Sequence, residues 1–286
     1  MREPVRNMGT SVRARLLNLA KQRQQPHELL LTRYALERLL YRLSTTKHRE
    51  RFVLKGAMLM AAWFDDPFRP TRDLDLLGFG DSDPQAMSAI FREICAVEIN
   101  DGVIFDITDL QIDLIREELQ YGGLRIKTHA TIGGARVRVV VDIGFGDAVE
   151  PGIVDLELPV LLDLPAPRLR AYPRESVIAE KFQAMVALGR VNSRMKDYYD
   201  VWVLARAFDF NGDGLSRAIA ATFARRNTPI PFDAPYGLTS AFANDSAKRQ
   251  QWRTFAESME AELPPLAAIV DDLAKFLMPH AAKAGI

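Results

Sequence analysis

Apolar positions recur at three- and four-residue steps at the start of the chain. Residues 11–22 carry one such pattern. Residues 28–44 carry a stronger one, with Leu29, Leu30, Tyr34, Leu36, Leu39, Leu40 and Leu43 on one stripe. Two helices are predicted, separated at Pro26, which lacks the backbone donor a continuous helix needs. The period changes at residue 52. FVLKGAMLMAAWF (52–64) is a short apolar run interrupted by Lys55-Gly56 and reads as a turn into a helix. Residues 72–78 alternate, so they read as a strand with Asp73 and Asp75 on one face and Leu74 and Leu76 on the other.

Asp83-Pro84 opens a helix to about Val97, and strands are expected near 103–107 and 124–131. Gly133-Gly134 then turns the chain into RVRVVVDI (136–143), a hairpin. Pro151, Pro159, Pro165 and Pro167 break up the next stretch, which places a domain junction near residue 165. Beyond it the pattern is helical: 176–188 ending at Gly189, then 195–208, 214–225, about 246–260 and about 264–278. The expectation is an α/β (α+β) chain. A mixed-sheet domain with N-terminal helices spans 1–165 and a helical lobe spans 166–286.

Composition narrows the function classes. The 286 residues are 48% hydrophobic and 26% charged, as in a globular chain able to bury a core. No run of eighteen apolar residues suggests a membrane span, and no signal-peptide pattern opens the sequence, so a cytoplasmic protein is expected. Cys95 is the single cysteine, and His27, His48, His129 and His280 lack ligand spacing, so disulfide, thiolate-zinc and histidine-metal chemistry are set aside. Net charge is zero but unevenly placed. Residues 1–50 hold eleven Lys/Arg against four Asp/Glu, residues 61–120 four against fourteen, and residues 168–196 seven against two. A carboxylate-rich centre between basic flanks suits a cation site that also meets a polyanion.

Five groups of residues carry candidate chemistry. In Arg72-Asp73-Leu74-Asp75 two carboxylates stand roughly 6.6 Å apart along a strand, and their oxygens could converge on one or two Mg²⁺ ions. Asp142 closes the apolar run Val137–Val141 and is a candidate third metal ligand. Asp147, after Ile143-Gly144-Phe145-Gly146, is assigned to the glycine turn. Lys181 lies along the apolar stripe of its predicted helix, either snorkelling from the core rim or aimed at nucleotide phosphates. In Asn192-Ser193-Arg194-Met195-Lys196-Asp197-Tyr198-Tyr199-Asp200, Arg194 and Lys196 could clamp phosphate. Equally, Asp197 could serve the helix N-terminus and Lys196–Asp200 an i,i+4 pair. Lys55-Gly56 could offer backbone N–H groups to phosphate.

Taken in order, these pieces resemble the AbiEii/AbiGii-type nucleotidyltransferase toxins, including the MenT-like members of type IV toxin–antitoxin systems. The matching residues are Phe52–Gly56, Arg69-Pro70-Thr71-Arg72-Asp73-Leu74-Asp75-Leu76-Leu77, Asp142–Asp147 with Pro151, Ala179-Glu180-Lys181-Phe182 and Asn192–Asp200. The resemblance in order and spacing runs over about residues 10 to 260. The resemblance implies a polymerase-β-like nucleotidyltransferase core and a helical lobe, with a nucleoside triphosphate and Mg²⁺ in the cleft between them. Asp73 and Asp75 would hold metal with Asp142 as the third acidic position, and Lys181 and Asp197 would supply further catalytic groups. The implied reaction adds nucleotides to RNA, at the 3′ acceptor end of tRNA, blocking translation, and the implied partner is a separately encoded antitoxin. One departure is Ala57, where many such enzymes carry Ser or a second Gly, so a hydroxyl contact to phosphate is lost. The same site chemistry would equally serve a nucleotidyltransferase acting on a protein or small molecule, and a non-catalytic module could keep the fold.

Overall fold

The computed structural model describes residues 7–64, 71–116, 122–259 and 262–286. Arg69 and Pro70 of the motif above lie outside the described residues. The chain clusters into two units. One comprises Met1–Gly146 and Val154–Ala171, the other Asp147–Ile153 and Tyr172–Ile286.

The first unit is built on one mixed sheet. Its strands are β1 (Phe52–Lys55), β2 (Leu74–Gly78), β3 (Val103–Phe105), β4 (Gln111–Arg116), β5 (Gly122–Ile132), β6 (Ala135–Phe145), β7 (Val154–Glu157) and β8 (Arg168–Ala171). The order is β3-β5-β6-β2-β1-β8-β7, with β4 also pairing β5. Helices α1 (Met8–Gln22), α2 (His27–Thr45), α3 (Met60–Trp63) and α4 (Pro84–Cys95) belong to the same unit. The α/β class with a mixed sheet is as the sequence predicts.

Three local readings change. Residues 52–55 extend rather than turn, because Phe52, Val53 and Leu54 are all buried between β2 and β8; the helical part waits until after Gly56. Strand β2 starts at Leu74, so Asp73 stands in a bend just ahead of it. Strands β4, β7 and β8 are additional. They are short and draw their stability from pairing with β5, β1 and each other, which no local pattern reports. With β8 in the sheet, the second segment of the first unit is Val154–Ala171.

The β5–β6 hairpin sets the register of the sheet's centre. Gly133 and Gly134 have φ of 52° and 81°, the left-handed pair that a two-residue type I′ turn needs. From that turn every residue faces the one equally distant from it, down to Arg125 opposite Asp142.

Helix α2 buries charge as well as its leucine stripe. Arg42 forks onto Asp101 (2.6 and 3.1 Å) and reaches the carbonyls of Val97 and Val103. Arg38 lies 3.6 Å from the same carboxylate and donates to the carbonyl of Pro165. Glu37 accepts from the Leu161 N–H. Two of the basic residues counted in the N-terminal flank are therefore interior supports and not part of a polyanion surface.

The second unit is helical: α5 (Arg174–Leu188), α6 (Met195–Ala207), α7 (Gly214–Arg225), α8 (Ser240–Asn244), α9 (Ser246–Ser258) and α10 (Leu266–Ala284). Helix α5 packs on α7, and α10 on α6 and α7. Phe182 meets Phe223 at 5.3 Å between ring centroids, and Tyr198 stacks on Phe242 at 5.2 Å. The segment 147–153 belongs here because Ser176 clips it to α5, donating to the Glu150 carbonyl and accepting from its N–H.

Candidate active site

In the sheet unit the candidate residues fall on one line across the strands. Lys55 on β1 is the register partner of Asp75 on β2, and Asp75 of Asp142 on β6. Asp142 is paired in turn with Arg125 on β5, and Arg125 with Asp113 on β4. Residues in register on adjacent strands project to the same face, with neighbouring strands about 4.8 Å apart. Five charged side chains thus share one face in the order plus, minus, minus, plus, minus. Asp73 precedes the line by two residues, its carbonyl and, at 3.5 Å, its carboxylate accepting from the Thr71 hydroxyl.

Gly56 is shaped for this line. Its φ is 75°, and a Cβ placed there would lie 2.0 Å from Asp75 Oδ2 and 2.7 Å from Asp75 Cβ. The Asp75 carboxylate therefore occupies the space any other residue at 56 would fill. This gives Gly56 a definite role: it lets Asp75 lie against the backbone.

Asp142 is gripped by Arg125 in a two-pronged ion pair, Nε to Oδ1 at 2.7 Å and Nη2 to Oδ2 at 2.6 Å. The bound carboxylate holds the Arg125 guanidinium above its ordinary pKa. Asp113, the last of the row, is bonded to Lys127. Among the described residues no three Asp, Glu, His or Cys side chains are gathered into a ready metal group. Asp75 and Asp142 stand side by side, and Asp142 has Arg125 on its oxygens. The donor chemistry still suits a hard dication, since carboxylates on neighbouring strands supply the oxygens that Mg²⁺ takes alongside water and phosphate.

In the helical unit Lys181 sits on α5 with its side chain 14% exposed, so it does not snorkel into open solvent. Its amine donates to Asp197 Oδ1 at 2.6 Å and lies 2.9 Å from Asp200 Oδ2, both on α6. Asp200 thus pairs with Lys181 rather than serving Lys196, which points outward. Arg194, just ahead of α6, approaches Asp197 at 3.8 Å. Asn192 shapes that entry, its side chain accepting from the Arg194 N–H and its carbonyl from Lys248. Asp147 does not simply serve the glycine turn: Arg226 on the second unit's framework bonds it at 3.2 Å and Gln183 at 3.0 Å.

One site residue escaped the sequence reading and another was given a different partner. Arg125 was findable from the glycine turn, because the hairpin register puts it opposite Asp142. Asp200 was in view, but its partner comes from another helix.

A mixed sheet presenting aspartates side by side on adjacent strands, joined in one chain to a helical unit with a nearly buried lysine between two aspartates, makes this an α/β protein with a sheet-borne acidic site. More particularly, residues 38–277 match the family model described as nucleotidyl transferase AbiEii toxin, type IV toxin–antitoxin system. The chain belongs to that family. Among solved structures it is similar to JHP933 from Helicobacter pylori at 13% identity and a TM-score of 0.47, over 91% of this chain and 93% of that one. It is similar also to an H. pylori chain described as a nucleotidyltransferase, at 14% identity and a TM-score of 0.45, over 91% and 96%. At these values the two likenesses carry no functional weight. Among curated proteins none matches significantly.

Proposed function

We propose that the chain transfers a nucleoside monophosphate from a nucleoside triphosphate to RNA, at the 3′ acceptor end of tRNA, and so blocks translation. The observation that supports this best is the placement of Asp75 beside Asp142 on adjacent strands, with Asp73 two residues upstream, in a chain of the AbiEii family.

Asp73, Asp75 and Asp142 would hold Mg²⁺, as one ion or two. When bound, Mg²⁺ neutralises phosphate charge and favours both the attacking hydroxyl and the departing pyrophosphate. Gly56 keeps Asp75 in place and, with Lys55, offers donors to the triphosphate. Lys181 supplies a positive charge for the phosphates. Asp197 aims that amine, and Arg194 and Lys196 bind anionic backbone at the start of α6. Membership of a type IV toxin family implies an antitoxin partner, separately encoded. Among the described residues no helix is long and apolar enough to cross a membrane, and action on tRNA would place the protein in the cytoplasm.

The test is transfer of label. Protein, Mg²⁺, total tRNA and each α-labelled nucleoside triphosphate are incubated and resolved by size. Label on tRNA is expected, and Asp73→Ala should lower it at least a hundredfold, about 2.7 kcal/mol of transition-state stabilisation, with an unchanged circular-dichroism spectrum. Label on a protein band would overturn the RNA acceptor. Full activity in Asp73→Ala would remove Asp73 from the mechanism.

A further inference from the structure

Arg125 lies inside the charge line, forked onto Asp142, yet stands in none of the motifs that carry the family resemblance. We propose that Arg125 is a resident counter-ion, holding the Asp142 carboxylate until a divalent cation takes it and then turning its guanidinium to a phosphate of the nucleotide. The proposal rests on the nucleotidyltransferase reading and names a positioning residue within it.

The geometry supports an exchange over a permanent support. The fork takes one lone pair on each Asp142 oxygen and sets a positive charge against them, so a cation approaching that carboxylate is opposed by Arg125. The Arg125 side chain is 42% exposed and that of Asp142 19%, so the guanidinium can move into water without leaving a fully buried charge behind. On its other side, the carboxylate of Asp113 is already bonded to Lys127 and does not compete strongly for a released Arg125.

Charge points the same way. Lys55, Asp73, Asp75, Asp142 and Arg125 sum to minus one in their ordinary ionised forms, the Asp113–Lys127 pair cancelling. A dication brings the group to plus one, which weakens the hold of the carboxylates on Arg125 and draws in a polyanion. A planar fork that has just left a carboxylate matches two oxygens of a phosphate equally well. Metal binding and nucleotide binding thereby assist each other, a reciprocal coupling with Arg125 as the moving part.

The test uses the full chain and two measurements. Mn²⁺ binding without nucleotide is followed from the free-ion electron paramagnetic resonance signal. Retention of labelled nucleoside triphosphate is measured separately at saturating Mg²⁺. Arg125→Gln should bind Mn²⁺ about tenfold more tightly than the wild type, the competitor being gone, and should retain nucleotide about tenfold less well. Arg125→Lys, which keeps charge but not the fork, should fall between. In an Asp142→Asn background Arg125→Gln should no longer change Mn²⁺ affinity.

Opposite signs are the signature, because a merely structural role weakens both measurements together. Equal or weaker Mn²⁺ binding by Arg125→Gln and Arg125→Lys, with Asp142→Asn still weakening it, overturns the exchange and leaves the carboxylate reading standing. If Asp75→Asn and Asp142→Asn both leave Mn²⁺ affinity unchanged, the carboxylate reading falls and the exchange with it.

Discussion

Gly56 shows what a single residue does here. As a letter in a sequence it suggested a close approach to phosphate; in the structure its missing Cβ first makes room for Asp75. Alanine at 56 would force a left-handed backbone on a residue with a side chain and drive it into the carboxylate. Gly56→Ala is therefore expected to cost about 2–4 kcal/mol in denaturant midpoint measurements and to reduce transfer sharply by displacing Asp75. Wild-type stability in this variant would show that the Asp75 carboxylate sits elsewhere. Asp75 and Asp142 were both visible as candidates, being carboxylates among apolar β residues. Their adjacency was not, because parallel strands far apart in sequence leave no local mark of their register. Cys95 is the opposite case: its burial, which pushes the thiol up to about 12, leaves it an inert packing residue.

Among the elements, α2 and the β5–β6 hairpin differ most in how far the sequence could be read. The hairpin was legible in outline: the pattern gave its strands and two glycines its turn, and the pairing of Arg125 with Asp142 follows once that turn's register is counted out. Helix α2 was legible as a helix but not as a carrier of buried ions. Arg38, Arg42 and Glu37 look like a solvated face in one dimension, and they are interior because Asp101 and the Leu161 and Pro165 backbone are folded against them. Removing one partner strands charge in the core. Asp101→Ala is expected to destabilise by about 3–5 kcal/mol, read as a lowered urea midpoint, whereas Asp113→Ala at the exposed end of the charge line should cost under about 1 kcal/mol. Similar losses at the two sites would contradict the burial of the α2 network.

For the whole molecule, composition still governs one property. With 37 basic and 37 acidic residues and a pI of about 6.9, the chain carries almost no net charge near neutrality. Solubility in polyethylene glycol titrations should pass through a minimum near pH 7 and rise on either side. A monotonic curve would show that patches rather than net charge control association. The sequence by itself determined the α/β class, the helical C-terminal half, the family and the identity of the acidic and basic candidates, because periodicity, turn chemistry and motif order are local properties of the chain. Only the tertiary structure decided that Asp75 and Asp142 are neighbours and that Lys181 answers to Asp197 and Asp200. Those contacts join residues 16 to 67 positions apart, and such pairing is set by how strands and helices pack, not by anything written beside each residue.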